Sequence, residues 1–363
     1  MRDESRRIRV LVVDDSAVIR RLISSLLERD AGVEVVATAL DGDFALSKIE
    51  QVKPDVVTMD VDMPRMDGLT ALRHIVSKYS IPVVMLSSLT TRGATLTMQA
   101  LKMGAFDFVC KPKGGGQVGE MAEDLISKVK AAAQAGAIPL DAAAPGPAVE
   151  KRVPTRKAAP THSDRVVAIG ASSGGPHALR YLLPRIPADI DAGIVLVQHM
   201  PRGFTGMLAR CLDEICELTV MEAREGALAL PGRVLVAPAS AHMKLRETPR
   251  GPEIILERGL QVNGHMPSVD VLFGSVARAY GPRAVGVIMT GMGGDGAQGL
   301  GEIKRVGGVT AAQDRESCSI FGMPRVAIEK GFVDTVLPLG GIADFLIATV
   351  GLQSQQEGAI CRE

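Results

Sequence analysis

Three carboxylates, a lysine and two neighbouring hydroxyls each stand directly after a short apolar run. Asp14 and Asp15 follow residues 8–13, Asp60 follows 55–59, Ser87 and Ser88 follow 82–86, and Lys111 follows 106–110. Carboxylates at close range repel one another unless a cation joins them. Hard oxygen ligands with positions left for water and phosphate suit Mg²⁺. One carboxylate of such a set can attack a phosphoryl group while the metal, Lys111 and a hydroxyl stabilise the phosphoryl oxygens. Any one of these acids alone reads equally well as a helix cap. The set on one rim does not.

A second constellation begins at Ser172, within Gly170-Ala171-Ser172-Ser173-Gly174-Gly175-Pro176 after the run 166–170. Gly-x-Ser-x-Gly between a strand and a helix is the pattern of a nucleophile elbow. Small flanking residues permit the tight turn, and N–H groups at the helix start favour a developing oxyanion. Ser173 competes for the nucleophile's place. His199, after the run 193–198, is the best-placed base, with His242 and His265 as further candidates. Asp295, in the loop 290–296 after the run 284–289, is the carboxylate that would orient it. The chain order Ser, His, Asp differs from the Ser, Asp, His of α/β-hydrolases. The same loop carries a rival reading. Gly291-x-Gly293-x-x-Gly296, with Asp314 near the end of the next strand, fits a dinucleotide fingerprint. That reading leaves Ser172 and His199 without a role.

The elements that must position these groups alternate. Strands at 8–13, 33–37, 55–59, 82–86 and 106–110 are separated by helical periodicity, with a last helix at 121–129. Five βα units imply a doubly wound parallel sheet, which binds ligands beyond the carboxyl ends of its strands. Residues 131–161 are rich in Ala, Pro and Gly and read as a linker. A second α/β pattern follows, with strands at 166–170, 193–198, 218–221, 234–237, 284–290, 309–312 and 333–336. The fold class expected is therefore α/β, with two doubly wound domains. The first spans 5–129, the linker 130–163, and the second, a Rossmann-like three-layer domain, 164–355.

Bulk composition bounds the function. Lys+Arg and Asp+Glu both number 41, so charge gives no reason to expect nucleic acid as a partner. The 5 cysteines are irregularly spaced without a CxxC, which argues against a disulfide framework or zinc site and for a reducing compartment. No apolar run approaches the roughly 20 residues of a membrane span, and the N-terminus lacks a signal-peptide core. A cytoplasmic protein without membrane insertion is expected.

The motifs also carry resemblances. Leu11-Val12-Val13-Asp14-Asp15-Ser16, Met59-Asp60-Val61-Asp62-Met63-Pro64-Arg65-Met66-Asp67-Gly68 and Phe108-Val109-Cys110-Lys111-Pro112 resemble response-regulator receiver domains. That resemblance, flavodoxin-like in fold, implies Asp60 as the phosphorylated residue. It implies Asp14 and Asp15 with Asp60 at a Mg²⁺ site, Ser87 as switch hydroxyl, Lys111 as phosphate-sensing cation and Phe108 as switch aromatic. Gly170–Gly175, Gln198-His199-Met200-Pro201-Arg202-Gly203-Phe204-Thr205, Pro267-Ser268-Val269-Asp270-Val271-Leu272-Phe273, Thr290–Gly296 and Phe321-Gly322-Met323-Pro324 resemble the chemotaxis protein-glutamate methylesterases. This second resemblance implies Ser172 as nucleophile, His199 as base, Asp295 as orienter and backbone N–H groups at Met292 and Gly293 as the oxyanion hole. No cofactor is implied for the esterase. Hydrolysis of glutamate methyl esters, and deamidation of glutamines, on chemotaxis receptors is the implied activity, with a chemotaxis histidine kinase as phosphodonor. Ser173 stands where the family commonly has Thr, and Met266 where it often has Arg. A receiver-linked oxidoreductase and a non-catalytic receptor-binding adaptor are the alternative functions.

Overall fold

The computed structural model describes residues 6–88, 90–112, 118–135, 164–246, 248 and 252–351. The chain divides into two compact units, Met1–Ala144 and Pro145–Glu363.

In the first unit five parallel strands, β1 (Ile8–Val13), β2 (Val33–Ala39), β3 (Val56–Asp60), β4 (Val83–Ser87) and β5 (Asp107–Cys110), form a sheet in the order β2-β1-β3-β4-β5. Every residue of β3 and β4 is buried, as expected of central strands covered by helices on both faces. The helices are Ala17–Leu27, Gly42–Val52, Gly68–His74, Thr91–Lys102 and Val118–Ala135. Four of them begin at the N-caps Ser16, Asp41, Asp67 and Thr90, whose side chains accept backbone N–H groups of the first turn. The third runs on into a wider π-helical turn, Ile75–Tyr79. The last continues to Ala135, past the end expected at residue 129, because Ala131, Ala132 and Ala133 are buried against the unit's core. The remainder of the expected linker lies outside the described residues.

The second unit has a seven-stranded parallel sheet in the order β14-β13-β12-β6-β7-β9-β8. Its strands are β6 (Val166–Ala171), β7 (Gly193–Gln198), β8 (Thr219–Glu222), β9 (Arg233–Val236), β12 (Ala284–Ile288), β13 (Val309–Gln313) and β14 (Thr335–Leu337). The strands β6, β7 and β12 are wholly buried. The strand order reverses beside β6, which has β12 on one side and β7 on the other. Such a switch point opens a crevice at the carboxyl ends.

The sequence pattern did not reveal an antiparallel hairpin, β10 (His242–Arg246) with β11 (Glu253–Glu257), outside the main sheet. It packs on the helix Val269–Tyr280, where Ser275 Oγ accepts the Leu245 N–H at 3.0 Å. The strands are short and carry charges on their open face, so neither resembles the long apolar runs of the sheet.

Gly68 lets the helix after β3 close on the strand end that holds Asp60. A Cβ there would lie 2.0 Å from the Asp60 carbonyl oxygen, a backbone atom with no freedom to retreat. Gly68→Ala should therefore destabilise the N-terminal unit by about 1–3 kcal/mol, read as a lower midpoint of its transition in urea.

Candidate active site

Ser172, His199 and the loop after β12 meet at the switch point. Ala171 of β6 stands in register with Gln198 of β7, so Ser172 and His199 leave neighbouring strands at the same level. The His199 N–H donates to Ala171 O at 3.0 Å, and the Ser172 N–H donates to Thr290 O at 3.0 Å. Gln198 ties the two together: its side-chain amide nitrogen donates to Ser172 O at 2.7 Å and to His199 O at 3.1 Å. Gln198 has no reactive group, so nothing in its residue type announced this role. The turn after Ser172 takes its left-handed residue at Gly174, φ +76°, and Ser172 itself is not among the positive-φ residues. Backbone strain is thus carried by a glycine rather than by the serine of the expected elbow.

His199 Nε2 lies 2.9 Å from Asp295 Oδ2. Asp295 is 2% exposed and accepts further hydrogen bonds from Ser268 Oγ at 2.7 Å, Val269 N at 2.7 Å, Asn263 Nδ2 at 2.8 Å and Asp270 N at 3.3 Å. Burial alone would raise its pKa. The hydrogen bond and charge of His199, with the donors Asn263 and Ser268, hold the carboxyl well below the usual range. An ionised carboxylate only accepts, so Nε2 carries the proton and the ring's lone pair is on Nδ1. Nδ1 is buried and without a hydrogen-bond partner among the described residues.

The other two candidate histidines separate cleanly. Both ring nitrogens of His242 are committed: Nδ1 accepts the Ser268 N–H at 3.2 Å and Nε2 donates to Leu260 O at 2.9 Å. His242 is a buried structural group. His265 stacks on His199 with ring centroids 3.8 Å apart and planes 11° from parallel. Burial and the neighbouring His199 push its pKa down to about 4, so it is uncharged near neutral pH. It reaches the site from the turn Val262–His265 and not from a strand end, which is why strand-end reasoning ranked it low.

The loop 290–296 is pinned from the far side by residues 320–323. Gly291 N donates to Ile320 O at 3.0 Å, while Gly322 N and Met323 N donate to Gly291 O at 3.1 and 2.9 Å. Met292 is 47% exposed and Gly293 has φ +82°. Among the described residues neither of their N–H groups has an acceptor. Gly296 abuts Val269, where a Cβ would meet Cγ1 at 2.5 Å, so its smallness serves packing against a helix. Asp314 is spent within its own loop, accepting from Ser317 N at 2.9 Å and Ser317 Oγ at 2.6 Å. The dinucleotide fingerprint thus has a structural explanation at two of its positions.

In the first unit Asp14, Asp15 and Asp60 each bring a carboxylate oxygen within 4.8 Å of the others. The Lys111 ammonium lies 2.6 Å from Asp14 Oδ2 and 2.7 Å from Asp60 Oδ2. Burial raises the Asp60 carboxyl, Asp14 adds repulsion, and Lys111 opposes both. Three hard oxygen donors, one of them exposed, fit an octahedral cation that keeps part of its water. Ser87 is fully buried and its hydroxyl meets Thr97 Oγ1 at 2.6 Å. Phe108 is 3% exposed, with the Lys128 ammonium 5.3 Å from its ring centroid.

Comparison with known proteins covers both units. Residues 10–123 match the response regulator receiver domain and residues 167–346 the CheB methylesterase. A relative from Koribacter versatilis, protein-glutamate methylesterase/protein-glutamine glutaminase 2, is 46% identical over 95% of this chain and 97% of its own. Another from Anaeromyxobacter dehalogenans, numbered 4 under the same name, is 49% identical over 96% of each chain. The chain belongs to the protein-glutamate methylesterase/protein-glutamine glutaminase family. A solved member, the Thermotoga maritima CheB methylesterase catalytic domain, superposes with a TM-score of 0.51 at 41% identity, covering 51% of this chain and 98% of that one. The family's two-part plan, two parallel-sheet α/β domains with a receiver first, is the architecture described above.

Two outcomes follow for this methylesterase-family site. A Cβ on Gly291 would lie 2.7 Å from Ser172 Cβ and 2.3 Å from Met323 Sδ. Gly291→Ala should therefore displace the serine and lower kcat by roughly a hundredfold in an ester-hydrolysis assay, with the fold retained by circular dichroism. Asp295, with its folded pKa depressed, stabilises the protein fully above the ordinary Asp value of 3.8, and that contribution fades as pH falls below it. Asp295→Asn should lose about 1.5–3 kcal/mol near neutral pH, and the gap in thermal stability from wild type should narrow as the buffer is taken below that value.

Proposed function

We propose that the chain is a phosphorylation-activated serine hydrolase that removes methyl groups from glutamate methyl esters, and amide nitrogen from glutamines, on chemotaxis receptors. Membership of the family gives the two activities. The observation that carries the mechanism is the 2.9 Å His199–Asp295 contact, which leaves the His199 lone pair on Nδ1.

Ser172 Oγ attacks the γ-carbonyl carbon as His199 Nδ1 takes its proton. The N–H groups of Met292 and Gly293 receive the oxyanion. Asp295 holds the tautomer and stabilises the imidazolium. His199 then returns the proton to the departing methoxy oxygen, or to the amine when the substrate is glutamine. Water, deprotonated by His199, attacks the acyl-enzyme; glutamate leaves and Ser172 regains its proton.

The receiver sets when this happens. An Asp60 carboxylate oxygen attacks the phosphorus of a phosphohistidine on a chemotaxis histidine kinase, the P–N bond breaks, and the kinase imidazole leaves. Asp14, Asp15 and Asp60 would hold a Mg²⁺ ion, which would supply positive charge against the phosphoryl oxygens. Lys111 pairs with the new phosphate. Ser87 leaves Thr97 to donate to it, and Phe108 turns into the space vacated. Phosphorylation relieves a block that the receiver imposes on the esterase. The working location is the cytoplasm; no helix among the described residues is long and apolar enough to cross a membrane. The relatives' printed names describe enzymes, which leaves the adaptor and oxidoreductase alternatives without support.

Methanol release from methylated chemoreceptor membranes tests the reading. It should rise when a small phosphodonor and Mg²⁺ are added, stay low in Asp60→Asn, and fall by roughly ten-thousand-fold or more in Ser172→Ala. Full release by Ser172→Ala would refute the nucleophile, and loss in His242→Ala but not in His199→Ala would reassign the base.

A further inference from the structure

Asp295 and Asp270 stand at the starts of two packed helices, and each serves the helix of the other. Asp295 precedes the helix Ala297–Arg305 yet accepts from Val269 N and Asp270 N, at the start of the helix Val269–Tyr280. Asp270 belongs to that second helix, and its Oδ1 accepts Gly299 N of the first at 2.7 Å. The helices approach closely: a Cβ on Gly299 would meet Phe273 Cβ at 2.6 Å. This reciprocal capping brings two carboxylates together, and burial with repulsion from Asp295 raises the pKa of Asp270.

One side chain lies between them. Asn263 Nδ2 donates one proton to Asp270 Oδ2 at 2.7 Å and the other to Asp295 Oδ1 at 2.8 Å. The amide orientation is fixed by its neighbours, since the carbonyl end would repel both carboxylates. Asn263 is held by a two-residue hairpin turn. Val262 and His265 exchange both backbone hydrogen bonds at 3.0 Å, while Asn263 and Gly264 have φ of +54° and +77°. Asn-Gly is the sequence that tolerates this left-handed pair. The same turn delivers His265 onto the His199 ring.

We propose that Asn263 is a positioning residue for the hydrolase reaction: its amide joins Asp295 to Asp270, fixes the carboxylate that orients His199, and draws off part of the negative charge that His199 feels. The proposal rests on Asp295 as the orienter of His199. The titratable groups facing Asp295 are His199, His265 and Asp270. Without the Asn263 donor, Asp295 is freer to turn and the imidazolium is stabilised more strongly. The first effect lowers kcat and the second moves the acid limb of kcat/KM to higher pH. Replacing Asp270 by Asn removes a negative charge and should move that limb to lower pH.

The test uses the phosphorylated full-length enzyme on methylated receptor membranes. Wild-type release that vanishes in Ser172→Ala establishes the parent reading separately. Asn263→Gly then keeps the left-handed turn and removes the side chain that carries the amide. It should lower kcat about tenfold, the scale of one hydrogen bond to a charged group, leave KM unchanged and shift the acid limb upward. Asp270→Asn should shift it downward. Opposite shifts cannot come from general loosening. Wild-type kcat with an unmoved limb in Asn263→Gly, or limbs that move the same way in both variants, would overturn the proposal.

Discussion

Burying a carboxylate is the constraint on which the catalytic unit turns. An ionised carboxylate removed from water costs several kcal/mol unless donors replace its hydration. Among the described residues Asp295 has no Lys or Arg as an ion-pair partner; its donors are an imidazole, a hydroxyl, an amide and two backbone N–H groups. The backbone donors are unsatisfied groups at the start of the helix Val269–Tyr280, where the helix dipole also favours negative charge. The need for them explains the position of that helix, the serine at its N-cap, and the glycines that let the loop after β12 come close. Once the carboxylate is fixed, the tautomer of His199 follows, with the proton on Nε2 and the lone pair on Nδ1.

Strand ends were the most legible part of the sequence. Apolar runs closing in Asp60, Lys111, Ser172 and His199 mark the rims of both sheets, because a parallel strand buried on both faces has to be apolar throughout and polar only where it emerges. The reversal of order beside β6 was not written in any single run, since it depends on which strand pairs with which. The β10–β11 hairpin escaped for a different reason. His242-Met243-Lys244-Leu245-Arg246 mixes charges with apolar residues, covering a helix on one face only. Asn263 and His265 carried a local signal, the Asn-Gly turn, but that signal specifies a hairpin and says nothing of where the hairpin points. Only the tertiary fold sets its amide between two carboxylates.

Gln198 and Thr97 show a second limit. Each is a buried polar residue, and each meets a residue named from the motifs: Gln198 the backbone of Ser172 and His199, Thr97 the Ser87 hydroxyl. Neither is marked as a reactive group by its place in a motif, so motif reasoning passes over them. Their burial is the informative feature, because a buried polar group must find partners and so reports what lies next to it.

The two units gather anionic groups at the same place in the same kind of sheet, yet leave them in opposite electrostatic states. Among the described residues the receiver rim sets one ammonium against three carboxylates, and burial with repulsion from Asp14 raises the pKa of Asp60. Such a pocket gains from added positive charge and changes its internal contacts when that charge or a phosphate arrives, which is the property a switch requires. In the second unit five donors converge on the Asp295 carboxylate, whose pKa is lowered. It has nothing left to recruit and no reason to rearrange. A site that must hold a proton-transfer geometry through every turnover is served by that saturation. The deficit belongs in the unit that must change state and the saturation in the unit that must not.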